Sequence, residues 1–249
     1  MDDLLKWRIG SFFSFWRQRL SFITSLDVKQ SYYEANVLIW ASLDALSNAW
    51  WKSSIKKQCW MFHDAKKCLQ FNYFLEEYGG EYFKYLSLPD IWLRVDEGRD
   101  KDTKSLNPET LAFLKKVGER KDPTPITKYL IRQVSDDTSI QSIYKQIVEN
   151  LPDAESSKLQ KWLSYSQYGS IAYKELRCSY IHEGQPGKNS HSFPLYGYEF
   201  RPTYLYGKYD TPAIMSFSPK FMMTVLSEAI DKFEANSLEQ EVDPIPIEI

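Results

Sequence analysis

Apolar positions recur along most of this chain at the three- and four-residue spacing of one helical face, and they predict a succession of helices. Residues 1–24 alternate aromatic and basic positions as a helix with a possible break at Gly10, packed on the domain; a membrane-surface helix and a subunit contact are the alternatives. From residue 29 to 51 a turn of about 100° per position spreads Val37, Leu38, Ile39, Trp40, Leu43, Leu46 and Trp50 around much of the circumference, the mark of a central helix. Its polar positions Glu34, Asp44 and Asn48 fall on one narrow stripe. A buried carboxylate without a partner is costly, so that stripe requires a cation from a neighbouring element.

Residues 55–80 continue as a further helix that Gly79 and Gly80 end, while the polar stretch 96–109 reads as an exposed loop. A helix restarts with Asn107 as cap and Pro108 in its first turn. Residues 122–135 give a turn and a short helix, and 137–152 one more. The span 156–183 is again helical, with Gly169 as a candidate break. Alternating rings at Tyr196, Tyr198 and Phe200 predict a short strand that pairs with Tyr204 and Tyr206 as a hairpin. A capped amphipathic helix starts near Ser218, and the acidic tail beyond Leu238 is read as mobile. The pattern therefore predicts an all-α fold with a small Tyr-rich β excursion before the last helix: an N-terminal helix over 1–24, a main domain over 25–240 and a tail over 241–249.

Composition narrows the function classes. With 249 residues and 43% hydrophobic content the chain can bury a core without disulfides or metals. A formal charge of −2 provides no global attraction for nucleic acid, so any such contact must be local. Three cysteines without a regular spacing fit a reducing, cytoplasmic setting, and no signal peptide or membrane span is expected. The aromatic load of 16% favours self-association. Cys59, His63 and Cys68 do not match the spacing of a zinc site, and no phosphate-binding glycine loop occurs, so neither a metal nor a cofactor is expected.

The stretch "ELRCSYIHEG" places Arg177 and His182 five positions apart. Arginine offers a fixed fork of donors to charged phosphate oxygens, and histidine exchanges protons near neutral pH. When the 2′-hydroxyl of RNA is the nucleophile, positioning replaces an external one and no metal is required. Five positions turn an α-helix by about 140°, so the two side chains do not share a face of a straight helix. A structural reading stands beside the catalytic one: Arg177 bridges Asp44 inside the bundle and His182 caps the helix end. A Cys178–His182 thiol pair lacks an orienting group. Lys188 and His191 lie in a loop where a further phosphate contact or plain exposure are both open, and Tyr180 either packs in the core or stacks on a base.

"AYKELRCSYIHEG" resembles the signature helix of HEPN ribonucleases, most closely the Apea-like and related prokaryotic branches, and "YYEANVLIWASLDALSNAWW" is similar to their earlier core helix. The resemblance covers roughly an eighth of the chain. It implies a HEPN-like helical bundle, a homodimer whose two motifs line one cleft, and metal-independent cleavage of RNA to a cyclic phosphate end, in prokaryotic defence or toxin–antitoxin biology with an antitoxin or regulatory protein as partner. In those terms Arg177 stabilises the phosphorane-like charge, His182 is general base or acid, and Asp44, or Glu34 in its place, orients Arg177, with Asn48 and Cys178 adjoining. Cys178 departs from the strongly polar residue more usual after the arginine, and a thiol is a poor hydrogen-bonding group. A non-catalytic HEPN-like module that binds a nucleotide or a protein is the alternative.

Overall fold

The computed structural model describes all residues except 1, 58–60, 99–100, 119–130, 133, 152–155, 188–189, 191–196, 198, 206–213 and 246–249. Its described residues are predominantly helical. In chain order they form α1 (Asp3–Ser25), α2 (Tyr32–Lys52), α3 (Lys67–Tyr78), β1 (Tyr85–Leu86), α4 (Leu88–Glu97), α5 (Lys101–Lys104), α6 (Pro108–Val117), β2 (Ile131–Arg132), β3 (Thr138–Ser139), α7 (Ile140–Asn150), α8 (Ser156–Ser164), α9 (Tyr168–Ala172), α10 (Cys178–Glu183), β4 (Thr203–Leu205), β5 (Ile214–Ser216) and α11 (Pro219–Glu239).

Two apolar clusters organise these elements. The larger gathers α1, α2, α3, the α9–α10 region and α11, with α2 at its centre, where Ile39, Trp40, Leu43, Leu46 and Trp50 are all buried. One face of α1 packs onto α11 and α2, and Phe13 meets Phe233 edge-on at 5.2 Å between ring centres. The smaller cluster joins α4, α6, α7 and α8 through Ile91, Leu114, Ile143, Ile147, Trp162 and Leu163. The Arg94 guanidinium lies 4.1 Å from the centre of the Trp162 ring and donates to the Trp162 carbonyl and the Ser166 hydroxyl, fastening α4 to the end of α8.

Strands are minor. β1 pairs antiparallel with β3, and β2, β4 and β5 form an antiparallel three-stranded sheet in that order. The predicted β excursion is present at β4 and β5, but Phe200 lies in a turn, and Tyr196, Tyr198 and Tyr206 fall outside the described residues.

Local signals settled several helix starts. The side chains of Asn107 and Ser218 accept from the Thr110 and Phe221 amides, as caps require. Elsewhere packing overrode the pattern. Helix α1 runs through Gly10 unbroken, since a mid-helix glycine costs only about 1 kcal/mol against the burial of Ile9 and Phe13. Of the expected 55–80 helix, Lys67–Tyr78 is the part that forms among the described residues. Just after α2, the Lys57 ammonium donates to the carbonyls of Ser53 and Ile55 and covers the Trp50 and Trp51 rings, holding the chain in a non-helical turn. Burial there lowers the Lys57 pKa. The polar 96–109 stretch is part helix, taking in the end of α4 and all of α5. The tail is tied down at its start, where Asp243 pairs with Arg8 at 2.8 Å.

Gly169 does not break its helix either; the break falls at residues 165–167. A Cβ on Gly169 would sit 2.6 Å from Asn72 Oδ1 and 3.0 Å from Asn72 Cα, so the missing side chain lets α9 and α3 touch. Gly169→Ala would add about 1 kcal/mol of helix propensity at an open site. At this one we expect instead a loss of ~1–3 kcal/mol from overpacking, read as a lower urea midpoint with unchanged slope.

Candidate functional site

The helix that carries Arg177 and His182 has three parts. Between α9 and α10, residues Tyr173–Arg177 form a π turn, closed by the Cys178 amide donating to the Tyr173 carbonyl five positions earlier. The extra residue rotates everything beyond it by about 100° relative to an unbroken α-helix. The Glu175 carbonyl accepts from the Gly187 amide at 2.7 Å, so the following loop folds back over the turn. Helix α10 stops at Gly184, whose left-handed φ of 67° suits glycine.

The π turn places Arg177 against α2. Its Nη2 donates to Asp44 Oδ2 at 2.5 Å, and its side chain keeps 14% of its surface exposed against 27% for Asp44. The guanidinium carbon sits 5.0 Å from the centre of the Tyr173 ring. Among the described residues Nη1 reaches only the Cys178 sulfur at 3.9 Å, and Nε is buried without a hydrogen-bond partner. Burial disfavours the cation, but the hydrogen bond and charge of Asp44 outweigh it, and the Arg177 pKa is raised. The group is therefore a fixed cation with donor capacity to spare.

The remaining expected residues divide sharply. Glu34 and Asn48 share the α2 stripe with Asp44 but are exposed, and neither bonds to Arg177 among the described residues. The stripe is real, but its depth varies along the helix, and Asp44 is the member that meets the motif. His182 is exposed in the last turn of α10, and no hydrogen bond or ion pair joins it to Arg177 among the described residues. Tyr180, considered for base stacking, is instead buried, its ring centre 6.4 Å from that of Tyr33. At 2% exposure the ring offers no free face to a base, and the same burial, with Tyr32 alongside, pushes its phenol well up. Cys178 is a half-buried free thiol. Lys188, His191 and Cys59 lie outside the described residues.

A second polar cluster escaped the sequence reading. Within α3, Asn72 Nδ2 donates to Gln167 Oε1 at 2.7 Å, and Gln167 Nε2 donates to Glu76 Oε2 at 2.9 Å. All three residues are buried. Desolvation pushes the Glu76 carboxyl up to about 7, against the opposing hydrogen bond from Gln167. The available signal was Asn72 and Glu76 within the aromatic-rich run "LQFNYFLEEY".

Among the described residues no group of three or more His, Cys, Asp or Glu side chains could hold a metal ion, and no helix is long and apolar enough to cross a membrane. No family model matches the chain, and no curated protein or solved structure is significantly similar to it.

Proposed function

We propose that this chain is a HEPN-type, metal-independent RNA endonuclease acting in the cytoplasm, in a prokaryotic defence or toxin–antitoxin setting. The observation that supports this reading is the Asp44–Arg177 contact, which joins the acidic residue of the earlier core helix to the arginine of the motif helix. Arg177 meets a phosphodiester with a charge held in place by Asp44. The RNA 2′-oxygen attacks the adjacent phosphorus, the bond to the 5′-oxygen breaks, and a 2′,3′-cyclic phosphate remains. One proton leaves the 2′-hydroxyl and one reaches the departing 5′-oxygen. His182, exposed at the helix end, performs one of these transfers on a backbone lying across α10. Two copies pair so that their motif helices line one cleft.

The covering of Arg177 and the thiol at Cys178 favour a second reading, a non-catalytic HEPN-like module for a nucleotide or a protein partner. Single-stranded RNA in EDTA separates the two. The nuclease reading expects cleavage that falls by roughly a hundredfold or more in His182→Ala and vanishes when the substrate is 2′-deoxy throughout. Cleavage that ignores either change would remove the proposed chemistry.

A further inference from the structure

Helix α1 has two apolar faces, and among the described residues one of them covers nothing. Ile9, Phe13, Trp16 and Ile23 are buried against the bundle, whereas Leu4 (60%), Trp7 (68%), Phe15 (54%) and Phe22 (57%) stand exposed on the opposite side. At 100° per residue, positions 4, 7, 11, 14, 15, 18 and 22 lie within an arc of about 100°, diametrically opposite the buried face. Along it runs a groove of about 490 Å3 lined by Trp7, Gly10, Ser11, Ser14, Phe15 and Gln18.

From these features we infer that the outer face of α1 is a self-association surface, seated against α1 of a second copy in antiparallel register. Gly10 provides an independent indication. A glycine inside a helix costs about 1 kcal/mol, and packing within one copy does not require this one, since nothing lies within 4 Å of a Cβ placed there. A two-fold axis between positions 12 and 13 sets Trp7 against Gln18 and Ser11 against Ser14 of the other copy, with Gly10 at the rim of the face. Small residues then meet where the helix axes come closest, and Gly10 keeps the rim of that contact low.

Charge and area select this occupant. The exposed stripe carries no ionised side chain. The arginines bordering it are each engaged by the chain itself: Arg8 with Asp243 at 2.8 Å, Arg17, still 44% exposed, with Asp231 at 2.8 Å and with Glu234, and Arg19 with the Ser42 hydroxyl at 3.1 Å. An anionic lipid surface would draw on those cations, whereas a neutral helix needs none of them. The four exposed apolar side chains offer roughly 450 Å2 per copy, and the groove residues between them bring the face towards the ~800 Å2 per partner typical of a stable pair. This surface excludes Arg177 and His182, so the inference does not depend on the nuclease reading.

Sedimentation velocity on the full chain tests it. We expect the mass of the assembly to halve in Trp7→Glu/Phe15→Glu. Gly10→Gln places a side chain at the rim of the groove without adding charge and favours the helix, and it should weaken association by roughly tenfold or more at a melting temperature no lower than that of the wild type. Wild-type chain that is monomeric at tens of micromolar would overturn the inference, as would an assembly indifferent to both variants. So would co-sedimentation with phosphatidylglycerol vesicles in the absence of self-association.

Discussion

Replacing Glu76 by Gln should make the protein more stable above pH 7 and flatten its dependence on pH. In the folded chain the Glu76 carboxyl titrates at about 7, against an ordinary value of 4.5, because burial between α3 and Gln167 disfavours its charge. The folded state therefore binds this proton more tightly than the unfolded state does. The associated stability is fully present below the unfolded value and is lost as pH rises through about 7. Above that pH an ionised carboxylate sits in the core, at a cost of about 3 kcal/mol for a displacement of this size. Gln keeps the acceptor for Gln167 without the charge, so Glu76→Gln should recover most of that cost at pH 8 and little near pH 4.5. For a chain of this length the gain corresponds to a rise of roughly 6–12 °C in melting temperature at pH 8. Thermal melts across this range check it, and a variant that loses stability at pH 8, or keeps the wild-type slope, would show that Glu76 is not the group responsible.

The second large effect concerns Asp44. Asp44→Ala removes the oxygen that Arg177 meets at 2.5 Å and leaves a mostly covered guanidinium whose Nε already lacks a partner. An unpaired group of that kind costs ~1–3 kcal/mol, and the urea midpoint should fall accordingly. Adding Arg177→Met should restore part of the loss, because the double variant no longer holds an orphaned charge. Under the proposed function, Asp44→Ala also lowers RNA cleavage by roughly a hundredfold, since the arginine is no longer aimed. Glu34→Ala should leave both stability and cleavage within about 0.5 kcal/mol of wild type, as an exposed substitution away from the pair. If Glu34→Ala were the damaging change and Asp44→Ala the silent one, the assignment of the orienting carboxylate would be reversed.

These two sites were not equally legible in the sequence. Asp44 could be read because a helix buried nearly all round cannot leave a carboxylate unpaired, and a suitable cation lay in the one other segment with a recognisable pattern. The caps at Asn107 and Ser218 were legible because they depend on neighbours in sequence alone. Tertiary contacts decided the rest. The π turn at Tyr173–Arg177 has no local signature, yet it shifts the motif's later side chains about the helix axis and so undermines faces drawn at 100° per residue. Gly169 looked like a breaker because its real role, admitting Asn72, depends on a residue almost a hundred positions away. Glu76 was hidden for the same reason, as its partner Gln167 comes from a distant segment. Residues 61–66 read as helix from their composition, but Lys57 and the end of α2 hold the preceding chain in a turn.

Under the proposed function, Arg177 and His182 act on a phosphodiester by way of the RNA's own 2′-hydroxyl. Its most direct test is the chemistry of the ends produced when the purified chain meets single-stranded RNA in excess EDTA. Fragments ending in 2′,3′-cyclic phosphate are expected, each with a 5′-hydroxyl on the adjoining piece, and at least roughly a hundredfold fewer from Arg177→Ala or His182→Ala. RNA that stays intact at every salt concentration, or fragments that carry 5′-phosphates, would contradict it.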